Sequence, residues 1–379
     1  MKRTLLFLAL TISGCGSIGK FTINYSSPAI KEGDAFVVEQ MEVETWSPVS
    51  KDTVKASRDG FLEYTGKTPD GRPMNICGIS GGAKGFRTSY FADKGDKIIL
   101  TADKRDPKGS PDISGGVYDI PIVAEYEGAV TARLRNMMHL KARLDQARRD
   151  KMPKDTVDYY INRLQAAGLD RSSNALGDSL AWHLDSEYGA YLFTVNVRSE
   201  ENLDSLLKRY DMYSTKVRKS EIGRQLGRIL EVHKSLLPGE SAPDFNLTDI
   251  DGNPVSLSAL RGKWVLIHHW GYCPGTQWIE PRIKKIHSKY SDRGLVLINI
   301  ARSDVKRKMP KGLKEEFEGN LRPGWTSVLL SDRGNEKIIR SYDLLTTPTL
   351  VLIDPEGKMA CYGFTQVLQD IRGILNKNL

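Results

Sequence analysis

The chain has 379 residues, 40% of them hydrophobic and 27% charged, with a formal charge of +8. That length supports two or three domains with cores of their own, and the composition is that of an ordinary folded, water-soluble chain. No apolar run is long enough to span a membrane, which excludes an integral helical membrane protein.

At the front, Lys2-Arg3, an apolar run from Leu5 to Ile12 and then Ile12-Ser13-Gly14-Cys15 resemble a bacterial lipoprotein signal with its lipid-attachment box. Residues 1–15 are therefore expected to be processed, leaving Cys15 as a lipidated N-terminus. Several acyl chains together hold a protein on a membrane. The expected location is the cell envelope, anchored through Cys15 and facing the periplasm, where nucleic acid is not an expected partner. Loss of Lys2 and Arg3 lowers the formal charge to +6 and leaves Cys77, Cys273 and Cys361. An odd number in an oxidising compartment keeps at least one thiol free or paired elsewhere. A Cys77–Cys361 bridge would leave Cys273 free, but sequence does not fix connectivity.

Residues 16–30, rich in Gly, Ser and Pro, read as a tether. Residues 31–124 have the texture of a small antiparallel β-sandwich. Strand-like runs fall at Ala35–Met41, Phe61–Tyr64, Arg87–Phe91 and Ile98–Thr101, with a hairpin turn at Arg58-Asp59-Gly60 and another turn at Gly95-Asp96. Gly78-Ile-Ser-Gly-Gly-Ala-Lys-Gly85 lacks the ending of a phosphate-binding loop and reads as a plain loop.

From 125 to 237 the period becomes helical. Val130, Leu134, Met137, Leu140, Leu144 and Ala147 fall on one face, and further helices fit Thr156–Ala167, Asn174–Thr194 and Glu201–Lys234. Between Arg133 and Lys154, eight Lys or Arg stand against Asp145 and Asp150. That local surplus is either a solvated face beside the apolar stripe or a surface steering the protein to anionic lipid or an acidic partner.

Residues 238–379 read as an α/β domain. An apolar strand, Trp264-Val-Leu-Ile-His-His-Trp270, runs through Gly271-Tyr-Cys273 into a helix opened by Pro274, whose missing amide a helix start does not need. Ile279, Ile283, Ile286 and Tyr290 give that helix one apolar face. Strands follow at Leu295–Ile300 and Ser327–Leu330, and helices at Lys311–Glu318 and Asn335–Tyr342. A strand after Pro348, a hairpin and a terminal helix with Val367, Ile371 and Ile374 inward complete the domain. A sulfur at a helix N-terminus meets unpaired amides and the positive end of the macrodipole, which favour thiolate. Cys273 is therefore the expected nucleophile.

This segment resembles the thioredoxin-like fold, in particular the thiol:disulfide interchange and alkyl-hydroperoxide-reductase/thiol-specific-antioxidant group of periplasmic lipoproteins. The resemblance is carried by Pro238-Gly-Glu-Ser-Ala-Pro-Asp-Phe245, Val255-Ser-Leu-Ser258, Arg261-Gly-Lys263, Pro281 eight residues after Cys273, and Tyr342-Asp-Leu-Leu-Thr-Thr-Pro-Thr349. The β-rich region before it resembles the N-terminal domain that often precedes such modules. The resemblance implies a cis Thr347–Pro348 bond and a thiol:disulfide oxidoreductase acting on disulfide-bearing protein substrates. No cofactor or metal is implied. It also implies that Thr347 and Thr349, flanking Pro348, hold a substrate strand, and that Trp270, Tyr272 and Pro274 line the groove; plain packing is the other reading of Trp270 and Tyr272.

The departure is at Cys273-Pro-Gly-Thr276, where most relatives carry two cysteines. Without a resolving thiol, the mixed disulfide must be released by an external reducing thiol. Thr276 is then a candidate hydrogen-bond donor to the thiolate, and His268, two before Trp270 where relatives carry a buried acid, a candidate proton acceptor. Cys361 reads as a buried strand residue rather than a resolver. Peroxiredoxins place a threonine three before the reactive cysteine and a proline four before that; here those positions are Trp270 and Leu266, which argues against peroxide reduction. The alternative from a different class is a redox-inactive thioredoxin-fold lipoprotein that binds a polypeptide or ligand.

Overall fold

A computed structural model of the chain describes residues 19–169, 174–197, 202–271, 274–302, 325–330 and 336–379. The chain forms two compact units. One comprises residues through Met41, Pro48–Gly189 and Ser220–Ile222; the other comprises Glu42–Ser47, Ala190–Lys219 and Gly223–Leu379. The helical stretch 125–237 is thus not a unit of its own, contrary to its reading as a separate region.

The first unit contains two four-stranded sheets. Their strands are β1 (Gly19–Ser26), β2 (Ala35–Met41), β3 (Pro48–Lys55), β4 (Phe61–Thr68), β5 (Arg72–Gly78), β6 (Arg87–Ala92), β7 (Lys97–Thr101) and β8 (Asp112–Ser114), in the orders β4-β1-β7-β8 and β3-β2-β5-β6. The tether expected over 16–30 is therefore wrong over Gly19–Ser26, which is strand β1. Phe21, Ile23 and Tyr25 alternate into the core at 1% exposure or less, a period-two pattern that the surrounding Ser, Gly and Pro concealed. The sandwich is not wholly antiparallel, because β1 runs parallel to β7. Tyr25 joins the two sheets, its ring 6.2 Å from that of Phe36. The Arg58–Gly60 turn exists, with Gly60 at φ +76°, but β3 pairs with β2 and β4 with β1, so it changes sheets instead of closing a hairpin.

The glycine-rich segment is a loop, organised on a carboxylate. Asp34 accepts from the amides of Lys31 and Ala83 at 2.9 and 3.1 Å. Gly81 stands at φ +59°, where a Cβ would fall 1.5 Å from that carboxylate, so only glycine fits.

Helices α1 (Pro121–Arg149), α2 (Lys154–Leu169), α3 (Asn174–His183) and α4 (Glu187–Val197) follow. On α1, Leu140, Leu144 and Ala147 are buried as the spacing predicts, whereas Leu134 is 41% exposed. The single helix expected over Asn174–Thr194 is broken where Ser186 accepts from the Gly189 amide and restarts the backbone as a cap. The helix expected over Glu201–Lys234 is three: α5 (Leu203–Met212), capped by Asn202, then α6 (Thr215–Lys219) and α7 (Glu221–Ser235).

The second unit is built on a five-stranded sheet of order β13-β12-β11-β14-β15, with a β9–β10 hairpin (Asn246–Thr248, Pro254–Ser256) before it. Strands β11 (Trp264–Trp270), β12 (Leu295–Arg302) and β13 (Thr326–Leu330) are parallel, and β14 (Thr349–Ile353) and β15 (Met359–Gly363) continue antiparallel. β11 is buried along its whole length, as a central strand with both faces covered must be. Val265 and Ile267 pack with Ile338 and Ile339 of α9 (Glu336–Ser341). Trp264 and Leu266 pack on the opposite face with Ile279, Ile283 and Ile286 of α8 (Pro274–Tyr290) and Ile371 of α10 (Leu368–Asn378). The helix expected at Lys311–Glu318 lies outside the described residues, as do Cys15 and the signal segment. No helix among the described residues is long and apolar enough to cross a membrane.

Candidate functional site

The strand β11 sets the geometry at its C-terminal end. Side chains alternate along a strand, so His268 and Trp270 share the α8 face with Leu266, and His269 shares the opposite face with Ile267. Helix α8 begins at Pro274, the residue after Cys273 in sequence. Cys273 and Tyr272 themselves lie outside the described residues.

Thr276, in the first turn of α8, is 4% exposed, and its Oγ1 lies 3.5 Å from the Gly271 amide, which donates to it. Trp270 is buried at 3% exposure. An aromatic not singled out in the sequence, Trp278, is instead 49% exposed on α8, with the Arg282 guanidinium 3.7 Å from its ring centroid.

The two histidines have different environments. His268 is 2% exposed; burial, then the neighbouring His269, drive its pKa down to about 3, against a smaller upward effect of the Asn299 side chain. It is a neutral imidazole and a weak base near neutral pH. His269, fully buried, places Nδ1 3.0 Å from the Thr346 carbonyl oxygen. A carbonyl only accepts, so Nδ1 carries the proton.

The Thr347–Pro348 bond is cis, as the resemblance implies. Pro348 is buried, Thr347 half-buried and Thr346 exposed. Thr349 is fully buried in β14 opposite His269, and its hydroxyl donates to the Thr346 carbonyl at 2.7 Å. Gly271 abuts this loop closely: a Cβ there would stand 3.0 Å from Thr347 Oγ1. The structure thus brings Gly271, Thr276, His269, Thr347 and Pro348 together at one end of β11. His269 is the member whose part the sequence did not disclose, because only the fold sets its ring against the loop.

The other thiols are different in kind. Cys77 and Cys361 are both free, so the bridge considered from cysteine counting is absent. Cys361 is buried in β15, and burial, followed by Asp370, pushes its thiol up to about 11. It borders a cavity of about 340 Å³ with Leu206, His233, Leu237, Tyr362 and Phe364. Burial likewise raises Cys77. Neither has the thiolate character that exchange needs at neutral pH. Among the described residues, no group of three or more His, Cys, Asp or Glu is placed to hold a metal ion.

Comparison with known proteins places this site in a family. Residues 238–361 match the AhpC/TSA family. The chain is 27% identical over 165 residues to the thiol-disulfide oxidoreductase ResA of Bacillus thuringiensis subsp. konkukian (strain 97-27), covering 43% of this chain and 77% of that protein. It is 30% identical over 134 residues to ResA of Bacillus subtilis (strain 168), covering 33% and 66%. Among solved structures it is similar to the thioredoxin domain of a thiol-disulfide oxidoreductase from Bacteroides vulgatus, with 24% identity, 38% of this chain and 100% of that chain covered, and a TM-score of 0.32. Through residues 238–361, the chain belongs to the thioredoxin-like thiol:disulfide interchange and AhpC/TSA group.

Proposed function

We propose that the protein is a lipid-anchored, periplasm-facing thiol:disulfide oxidoreductase that works with the single cysteine Cys273. The family assignment supports the reaction class. The position of Cys273, one residue before α8, supports the nucleophile, since helix-end amides favour its thiolate. The thiolate attacks one sulfur of a substrate disulfide; the S–S bond breaks, the other sulfur leaves as thiolate, and a mixed disulfide forms. An external thiolate then attacks the Cys273 sulfur and expels the substrate thiol. A second external thiol regenerates Cys273, so two external thiols are oxidised to one disulfide as one substrate disulfide is reduced. Tyr272, Pro274, Thr347 and Pro348 border the substrate strand, and Thr276 donates to the thiolate. The sequence around Cys15 supports the anchor.

The test is the alkylation rate of Cys273 against pH, with the modified residue identified by mass spectrometry. A thiolate that persists below pH 7, under the free value of about 8.5, is the expected result. A Cys273 that titrates like a free thiol would instead favour the second reading, a redox-inactive binding module, for which the absence of a cysteine at Thr276 speaks. Capture of a disulfide substrate by wild type but not by Cys273→Ala separates the two.

A further inference from the structure

We infer that His269 is a positioning residue for substrate, acting through the peptide unit between Thr346 and Thr347; this rests on the oxidoreductase reading above. The Thr346 carbonyl receives two hydrogen bonds from inside the fold, from His269 Nδ1 at 3.0 Å and from the Thr349 hydroxyl at 2.7 Å. Both donors are fully buried, and they face each other across β11 and β14. A peptide unit is planar, and in the trans form its C=O and N–H point in opposite directions. Thr347–Pro348 is the cis bond of this loop, and the bond before it is trans. Fixing the Thr346 carbonyl toward His269 therefore aims the Thr347 amide to the opposite side, away from His269.

Thr347 is the residue expected to pair with an extended substrate, and main-chain pairing of this kind depends on the direction of each N–H. A donor on the β11 side that holds this peptide plane reduces the orientations lost when substrate binds. Gly271, the residue after β11, lies beside the same loop residue: a Cβ there would stand 3.0 Å from Thr347 Oγ1, so the loop sits close against the end of the strand whose His269 holds the Thr346 carbonyl. The effect belongs to polypeptide disulfides, which need a paired strand. A small disulfide needs only the sulfur.

The experiment compares wild type, His269→Phe and His269→Asn in the full chain, using a cystine-bridged peptide and hydroxyethyl disulfide, with dithiothreitol as the external thiol. Asn is the conservative variant, since its side-chain amide can donate from near the position of Nδ1. The expected result for His269→Phe is a KM for the peptide raised about tenfold, with kcat and the rate on hydroxyethyl disulfide within about twofold of wild type. His269→Asn should restore most of the peptide KM. Equal loss on both substrates, an unchanged peptide KM in His269→Phe, or no rescue by Asn in a folded variant would overturn the inference while leaving the oxidoreductase reading intact. Wild type inactive on both disulfides would overturn that reading, and this inference with it.

Discussion

His233 Nε2 lies 3.0 Å from Asp343 Oδ2, joining the last turn of α7 to the segment that leads into the Pro348 loop. Asp343 is 5% exposed and stands at φ +43°, a backbone conformation that Asp and Asn accept more readily than other residues with a Cβ.

Asp343→Ala removes the acceptor and keeps the strained backbone, so it is expected to lower stability by about 1–3 kcal/mol. Asp343→Asn keeps both an acceptor oxygen and tolerance of positive φ and should lose less. Urea midpoints of the two variants against wild type check this ordering; a larger loss in Asn than in Ala would refute it.

Arg340 reaches Glu44 and Glu42, each at 2.6 Å, and Arg228 reaches Glu44 at 2.7 and 3.1 Å. The two carboxylates are largely buried, at 10% and 13% exposure, so they depend on these partners. Arg340→Ala leaves Glu44 with Arg228 and is expected to destabilise by about 1–3 kcal/mol, less than for a fully buried pair because Arg340 is itself partly exposed. Adding Glu44→Gln to Arg340→Ala should cost less than the two single losses added together, which a double-mutant cycle measures.

His268 sets a pH dependence. Its pKa falls from 6.5 to about 3 on folding, so between those values the unfolded chain binds a proton that the folded chain does not. Stability is full above about pH 6.5 and declines as pH falls toward 3, by up to about 1.4 kcal/mol per unit from this group. His268→Asn should flatten the decline between pH 6.5 and 5. An identical slope in both proteins would show that other groups account for it.

Thr276→Cys restores a second thiol at the buried first-turn position of α8. The expected outcome is that a peptide held as a mixed disulfide on Cys273 is released without added thiol, at least about tenfold faster than in the parent, leaving an internal disulfide. Mass spectrometry of the trapped species over time checks this. An unchanged lifetime would mean that the new thiol cannot reach the Cys273 sulfur.

Much of the second unit was legible because its elements obey simple periods. The continuous apolar run of β11 and the Ile279, Ile283, Ile286 stripe of α8 are local patterns, and each is buried where the pattern predicts. β1 is hidden in the sequence because its five alternating residues, Phe21 to Tyr25, sit among turn-forming ones whose composition masks the period. The breaks in the helical region leave little trace in the sequence because a cap such as Ser186 acts through one hydrogen bond that leaves hydrophobic spacing almost undisturbed.

The sequence by itself determined the thiol chemistry on offer: one cysteine before a proline-started helix, a threonine in place of a second cysteine, and a Thr-Thr-Pro loop more than seventy residues away. Tertiary structure decided what surrounds that chemistry. Sheet pairing brings Thr349 opposite His269 and so turns two buried side chains onto one carbonyl, while burial holds His268 neutral and raises the Cys361 thiol to about 11. These are effects of distance and desolvation between residues far apart in the chain, which no local pattern encodes.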